Sequence, residues 1–365
     1  MNKARLYFLV TNSLHQDQRL HRICGSLSYG GYDVTLVGVK SSKTLYRNKG
    51  FKTISISTFF QSGPFFYLEV NLRFFFFLMT KRLDVIVAND LDTLLAAKLV
   101  ASLRRKKLFI DLHEYFTEVP ELENRSLIKA IWSTVGRFGI SNASCNYTVN
   151  NSLANILSEK YGSPFETIYN YPAYKKNNEP SLESKTFDLV YVGVVNKGRG
   201  LEEIIMSIKE LEGITFTIFG DGDLFAQIEK LIEILGLTDR VFLKGFISAE
   251  SIHKNLSSFD LGVNLLQAKS LNYFYSSANK YFDYIMAGVP SLSMRFPEYE
   301  RLNSEFETSI LIESLDAHLI KTSIQKIISD QSELNHLKQN CANAKEVFNW
   351  KSQEDKLLRM YINAF

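Results

Sequence analysis

The stretch "YVGVVNKGRGLEEII", residues 191–205, passes from an apolar run through a glycine-bracketed basic loop into a helix start. Gly193 closes the run, and Lys197, Arg199 and Gly200 make the loop. A strand that hands over to a helix in this way is the repeating unit of a parallel sheet, whose strands are covered on both faces and therefore lack polar alternation. Downstream the pattern recurs in "ITFTIFG", "RVFLKGF", "FDLGVNLL", "VPSLSM" and "SILIES". Upstream it recurs in "ARLYFLVTN", "YDVTLVGV", "FKTISIS", "LDVIVAND", "KLFIDLH", "CNYTVN" and "FETIYNY". Between the two sets lies "NYPAYKKNNEPSLESK", which is polar, holds prolines and has no periodicity. The pattern predicts two doubly wound α/β domains, 1–172 and 186–345. A helical segment at 346–365, anchored by Trp350, is expected to pack back toward the first domain.

A chain of 365 residues is long enough for two cores. Residues 1–173 carry 21 Lys/Arg against 13 Asp/Glu, a net +8, and residues 174–365 carry 21 against 26, a net −5. The basic surface belongs to the first half. Nucleic acid is not the expected partner, because no zinc-finger, RNA-recognition or helix-turn-helix signature accompanies the charge. Cys24, Cys145 and Cys341 are odd in number and far apart, which fits a reduced, cytoplasmic compartment better than a disulfide framework or a metal knuckle. The start "MNKARLYFLVTN" reads as a strand rather than a signal peptide. The most apolar segment, 65–83, is broken by Glu69, Asn71 and Arg73, so its longest clean run falls short of the ~20 residues of a spanning helix.

Ligands of open parallel sheets bind beyond the carboxyl ends of the strands. There Arg199 and Lys197 stand among glycines that let backbone amides approach an anion. "IFGDGDLFAQI" repeats the design with Gly220, Asp221 and Gly222. "SSANKYFDYIMAGVPSL", residues 276–292, offers Ser276, Ser277 and Asn279 as helix caps and puts Lys280 in the first turn, where the helix dipole disfavours a cation. An anion bound between helix and lysine would resolve that conflict. Asp283, one turn further, has the chemistry to accept hydrogen bonds from a ribose diol. In the first half, polar clusters end three predicted strands: Asp17, Arg19, His21 and Arg22; Asn89, Asp90 and Asp92; Asp111, His113 and Glu114. No nucleophile elbow, HExxH, Walker loop or GxGxxG is present.

In their order and spacing these motifs, with "TNSLHQDQRLHRICGSLSYGGYDVTLVG", "ANDLDTLLAA", "DLHEYFTE", "IYNYP" and "VFLKGFIS", resemble the family 4 glycosyltransferases of the GT-B fold over nearly the whole chain. The resemblance implies two Rossmann-like domains facing a cleft. It also implies a UDP-, GDP- or ADP-linked nucleotide-sugar donor held by the second domain, an acceptor held by the first, and transfer with retention, without metal or cofactor. Carried over, Arg199 and Lys280 meet the donor phosphates, with Gly193, Lys197 and the amides after Ser276 beside them. Asp283 holds the ribose. Gly220, Asp221 and Gly222 line the nucleotide pocket, with the backbone near Phe246 against the base. His113 lies beside the transferred sugar, and Asp17, Arg19 and Asp90 face the acceptor. Tyr275 stands where the family has the first of two glutamates, and Val194 where it has an arginine.

Two other classes fit some of these residues: a sugar-nucleotide epimerase of related architecture, and a sugar-binding relative without catalysis. The acceptor expected is a lipid-linked or surface-polysaccharide glycan. "RRKK" at 104–107 and the phenylalanines of 65–83 beside Arg73, Lys81 and Arg82 lead to the expectation of peripheral attachment to the anionic inner face of the cytoplasmic membrane.

Overall fold

A computed structural model describes residues 3–14, 17–40, 50–175, 186–247, 251–252 and 255–364. Contacts divide the chain into two compact units, Met1–Asn170 with Gln353–Phe365, and Tyr171–Ser352.

In the first unit seven strands run in the order β3-β2-β1-β4-β5-β6-β7. They are β1 (Arg5–Ser13), β2 (Asp33–Val39), β3 (Lys52–Ile56), β4 (Val85–Asn89), β5 (Lys107–Leu112), β6 (Cys145–Thr148) and β7 (Glu166–Thr167). Every pairing is parallel. β4 is buried at all five positions and β5 at five of six, as strands covered on both faces must be. The chain reverses direction across the sheet between β1 and β4, the switch point where such sheets leave a crevice at their carboxyl ends. Helices Gly63–Met79, Leu91–Arg104 and Asn151–Tyr161 share one apolar core with β1, β2, β4 and β5, built on Phe74, Leu78, Leu94, Val100, Ile110 and Leu157. The helix Trp350–Asn363 supplies Tyr361, fully buried against Phe109, Tyr147 and Tyr32.

The second unit repeats the plan with six parallel strands in the order β10-β9-β8-β11-β12-β13. These are β8 (Phe187–Val192), β9 (Ile214–Phe219), β10 (Val241–Leu243), β11 (Leu261–Asn264), β12 (Ser291–Met294) and β13 (Ser309–Ile312). Its switch point falls between β8 and β11, so the quoted stretch 191–205 opens at the crevice. Residues 346–352, expected to travel with the final helix, belong to this unit. Phe348 packs on Tyr171 and Phe306 at centroid distances of 5.3 and 5.1 Å, and Trp350 N–H donates to Pro172 O at 2.8 Å. No described helix is long and apolar enough to cross a membrane.

Candidate functional site

In the second unit the loops after β8, β9 and β10 are laced together by backbone hydrogen bonds. Gly193 N donates to Phe219 O at 3.0 Å, Val195 N to Asp221 O at 3.0 Å, and Gly220 N to Gly245 O at 2.8 Å. The lacing requires glycine: a Cβ on Gly220 would stand 1.7 Å from the Gly193 carbonyl oxygen. The "GDG" turn is therefore a fitted part of the crevice floor.

On this floor the two predicted phosphate cations come together, and they rest on aromatic rings. Lys280 Nζ lies 3.5 Å from the centroid of Tyr191 and beside Gly193, where a Cβ would meet it at 3.3 Å. The Arg199 guanidinium lies 5.2 Å from the ring of Tyr273, and its Nε is buried with no hydrogen-bond partner. Among the described residues no carboxylate pairs with either cation. Burial, and then the charge of Arg199, push Lys280 well below the usual lysine range. A guanidinium and an amine with no carboxylate partner, each on a π-face and one with an idle donor, have the chemistry to meet an anion, which would favour the charged form of the lysine.

The helix Asn279–Ala287 points its first turn into this arrangement, but its cap differs from expectation. The N-cap is Ala278, with no side-chain cap, and its amide donates to Tyr299 Oη at 2.9 Å. Ser276 Oγ instead donates to Tyr273 O at 2.8 Å, fixing the turn that carries the ring under Arg199. A helix start without a side-chain cap keeps its partial positive charge available to a ligand. Ser277 is half-buried in the same turn, Asn279 is exposed at the first helical position, and Asp283 is half-buried one turn on. Lys197 and Asp221 are exposed; the Asp221 carboxylate accepts from Gly222 N at 2.8 Å. Phe246 is 82% exposed, next to the Gly245 that holds Gly220. Val194 is exposed, and its carbonyl accepts from Tyr191 Oη at 2.8 Å. Tyr191 and Tyr273 have no signature in the sequence, because a tyrosine in a strand or turn reads as core.

The three polar clusters of the first unit converge at the carboxyl ends of β4 and β5. His113 Nε2 is 3.0 Å from Asp111 Oδ2, and Nδ1 is 3.6 Å from Asp90 Oδ2 and 3.9 Å from Asp17 Oδ2. Asp90, held at φ 61°, also accepts from His113 N at 2.8 Å. Burial lowers the imidazole, but Asp111 and then Asp90 more than reverse this and raise it to about 10. The two carboxylates thus favour the imidazolium form of His113. Burial pushes Asp90 up to about 7 and Asp92 to about 6, against the pull of His113 and, on Asp92, of Thr11 Oγ1 at 2.5 Å.

Arg19 does not face an acceptor. It is 4% exposed, bonded to Asp111 through Nε (3.2 Å) and Nη2 (2.9 Å), and donates through Nη1 to Ile168 O at 2.5 Å. It is a buried strut that ties the helix Gln18–Tyr29 to β5 and the end of β7. Asp17 caps that helix, accepting from Leu20 N at 3.0 Å, and Asp90 clamps His113. A buried guanidinium is visible in sequence only as an arginine beside apolar positions, which a solvated surface arginine imitates.

Residues 174–344 match the family Glycosyl transferases group 1. No curated protein sequence matches the chain. The fold is shared with sucrose-phosphate synthase of Thermosynechococcus elongatus, at TM-score 0.80 and 15% identity over 99% of each chain. It is shared too with Anabaena HepE, solved with UDP-glucose, at TM-score 0.77 and 15% identity over 98% of this chain and 99% of that one. WaaG, a glycosyltransferase involved in lipopolysaccharide biosynthesis, aligns at TM-score 0.72 and 13% identity over 97% and 98%. The two parallel α/β units have the GT-B fold, and the chain is a glycosyltransferase.

Proposed function

We propose that the enzyme moves a sugar from a nucleotide-sugar donor to an acceptor hydroxyl with retention of configuration, as in family 4. The observation that carries this reading is the pairing of Arg199 and Lys280 without a counter-anion beside the Asn279–Ala287 helix start. HepE binds UDP-glucose in the same fold, which favours a uridine donor.

Breaking the bond between the sugar's anomeric carbon and the phosphate leaves negative charge on the diphosphate. Arg199, Lys280 and the first-turn amides are fixed where that charge grows, so they stabilise the transition state more than the ground state. The acceptor oxygen bonds to the anomeric carbon on the face the phosphate leaves, and its proton passes to a departing phosphate oxygen. In this reading Asp283 accepts from the ribose hydroxyls, the Gly220–Gly222 turn and the backbone near Phe246 hold the nucleoside, and His113 stands beside the transferred sugar. Asp17 and Asp90 act on the acceptor side by orienting the His113 ring. The acceptor is a lipid-linked or surface-polysaccharide glycan met at the inner face of the cytoplasmic membrane.

A thermal-shift comparison of UDP, GDP and ADP sugars tests the donor assignment, since a ligand at a hundred times its Kd stabilises by about 2.7 kcal/mol. A shift with UDP-sugars that vanishes in Arg199→Ala is expected. No shift with any of the three overturns the reading.

A further inference from the structure

The helix Gly63–Met79 turns an outward stripe to solvent that contains no charged residue. Its exposed positions after the opening Gly63 and Pro64 are Phe65, Leu68, Leu72, Phe76 and Met79, the spacing of one helix face. A surface helix of a soluble protein normally carries its charges there. The neighbouring helix Leu91–Arg104, packed against it, exposes Leu95, Leu99 and Leu103. Next to that, Ser126–Ile140 exposes Leu127, Ile131 and Phe138. Phe76 and Leu103 are each 65% exposed and Leu127 74%. At ~200 Å² per side chain the three stripes present roughly 1,000 Å² of apolar surface. The largest patch on an ordinary monomer is ~300–600 Å².

Cations edge this face. Lys81 lies 4.8 Å over the Phe77 ring, and Arg82 and Arg105 follow the ends of two of the helices. They lead into a hollow of about 1230 Å³ at the amino-terminal edge of the first sheet, lined by seven Lys/Arg against Asp33 and Asp84. The sequence suggested that all of "RRKK" is available, and the structure corrects this. Arg104 is spent on the Leu78 and Lys81 carbonyls, Lys107 on Ala364 O, and Lys106 shares Asp84 with Arg5, which leaves Arg105 as the free cation of the run among the described contacts. At the other end of the face the Glu69 carboxylate accepts from the amides of Phe59 and Phe60, bracing an exposed aromatic turn that follows β3. The face thus runs from the basic edge of the sheet to the carboxyl edge that carries His113.

We infer that the outward face of these three helices is a membrane-docking surface that lies on an anionic bilayer. The apolar stripes enter the acyl boundary, and the cations at the amino-terminal edge meet headgroup phosphates. A second copy of the chain is the poorer occupant, because it would bring the same excess of cations to the contact, whereas anionic headgroups neutralise that excess. The inference deepens the reading of a membrane-borne acceptor. Vesicle binding is read without donor or acceptor, so it stands or falls separately from transfer.

The test is co-sedimentation with vesicles of equal parts phosphatidylglycerol and phosphatidylcholine, and with phosphatidylcholine alone. Binding to the anionic vesicles that weakens at high salt is expected. Leu72→Asp with Phe76→Asp, and separately Leu103→Asp, should each weaken it at least about tenfold. Ile234→Asp, an equally exposed apolar position in the second unit, should leave it unchanged. Because the substituted side chains are exposed, unchanged circular dichroism is expected of all variants, and the Leu103 variant reports independently if the double one unfolds. No binding, equal binding by the variants, or a stable dimer dispersed by them would overturn the inference.

Discussion

Replacing Asp111 by Asn changes one buried atom and strips two cations of their counter-charge. Asp111 is fully buried; it accepts two bonds from Arg19, itself 4% exposed, and sits 3.0 Å from His113 Nε2. Burial raises its carboxyl, but Arg19 and His113 hold it below the ordinary aspartate range, so it is ionised throughout neutral pH. An amide cannot answer both charges. Orphaning a buried ion typically costs about 3–5 kcal/mol. With a urea slope of about 2–3 kcal/mol per molar, the unfolding midpoint of the first unit should fall by about 1–2 M. Trp132 reports on that unit if Trp350, the only other tryptophan, is replaced by Phe. The double variant Arg19→Met with Asp111→Leu removes more atoms but leaves no unpaired guanidinium, and should lose less than Asp111→Asn alone. A loss under about 1 kcal/mol for Asp111→Asn, or a double variant worse than the single one, would refute the claim that charge compensation holds this cluster together.

Arg199→Ala and Lys280→Ala should each lower turnover ~10²-fold or more at saturating donor while barely moving the melting temperature; wild-type turnover in both would remove the phosphate assignment. His113→Gln should impair transfer yet leave UDP affinity, measured by calorimetry, within a few-fold. The same variant should flatten the pH dependence of stability. A histidine raised from 6.5 to about 10 stabilises fully below 6.5 and loses that contribution as pH rises through 10, so wild type should weaken across this window and the variant should not. Gly220→Ala should cost more than about 3 kcal/mol or abolish nucleotide binding, since its methyl would need the space of the Gly193 carbonyl oxygen; near-normal behaviour would show that the two loops separate freely.

The two parallel sheets were legible because a strand covered on both sides needs a continuous apolar run, and "VIVAN" or "LFIDL" can hardly be anything else. The glycines of 193–222 were legible for a similar reason: a close backbone approach excludes side chains. Partnering was the hidden part. Arg19, Asp17 and Asp90 look alike in sequence, yet one is a strut, one a cap and one a clamp, because their roles depend on which strand ends lie adjacent after folding. Ser276 and Ser277 read as caps by composition, but the helix starts past them, where a tyrosine from Pro297–Phe306 takes the amide that a cap would have left open. The phenylalanines of 74–77 divided by helical phase, Phe74 into the core and Phe76 to solvent, which composition alone could not apportion.

The placement of Tyr361 bears on how the molecule is made. Its ring fills a hollow between Phe109 and Tyr147, its hydroxyl meets that of Tyr147 at 3.1 Å, and Glu354 on the same helix accepts from Ser26 Oγ at 2.7 Å. All of these partners are synthesised before the second unit, and the helix that covers them after it. While the ribosome works through the second unit, the first sheet waits with an aromatic hollow unfilled. The unit begun first is therefore the one completed last. A fragment ending near residue 170 would lack this lid and should be sticky and short-lived. Supplying residues 350–365 as a separate peptide, or fusing them behind such a fragment, should restore it.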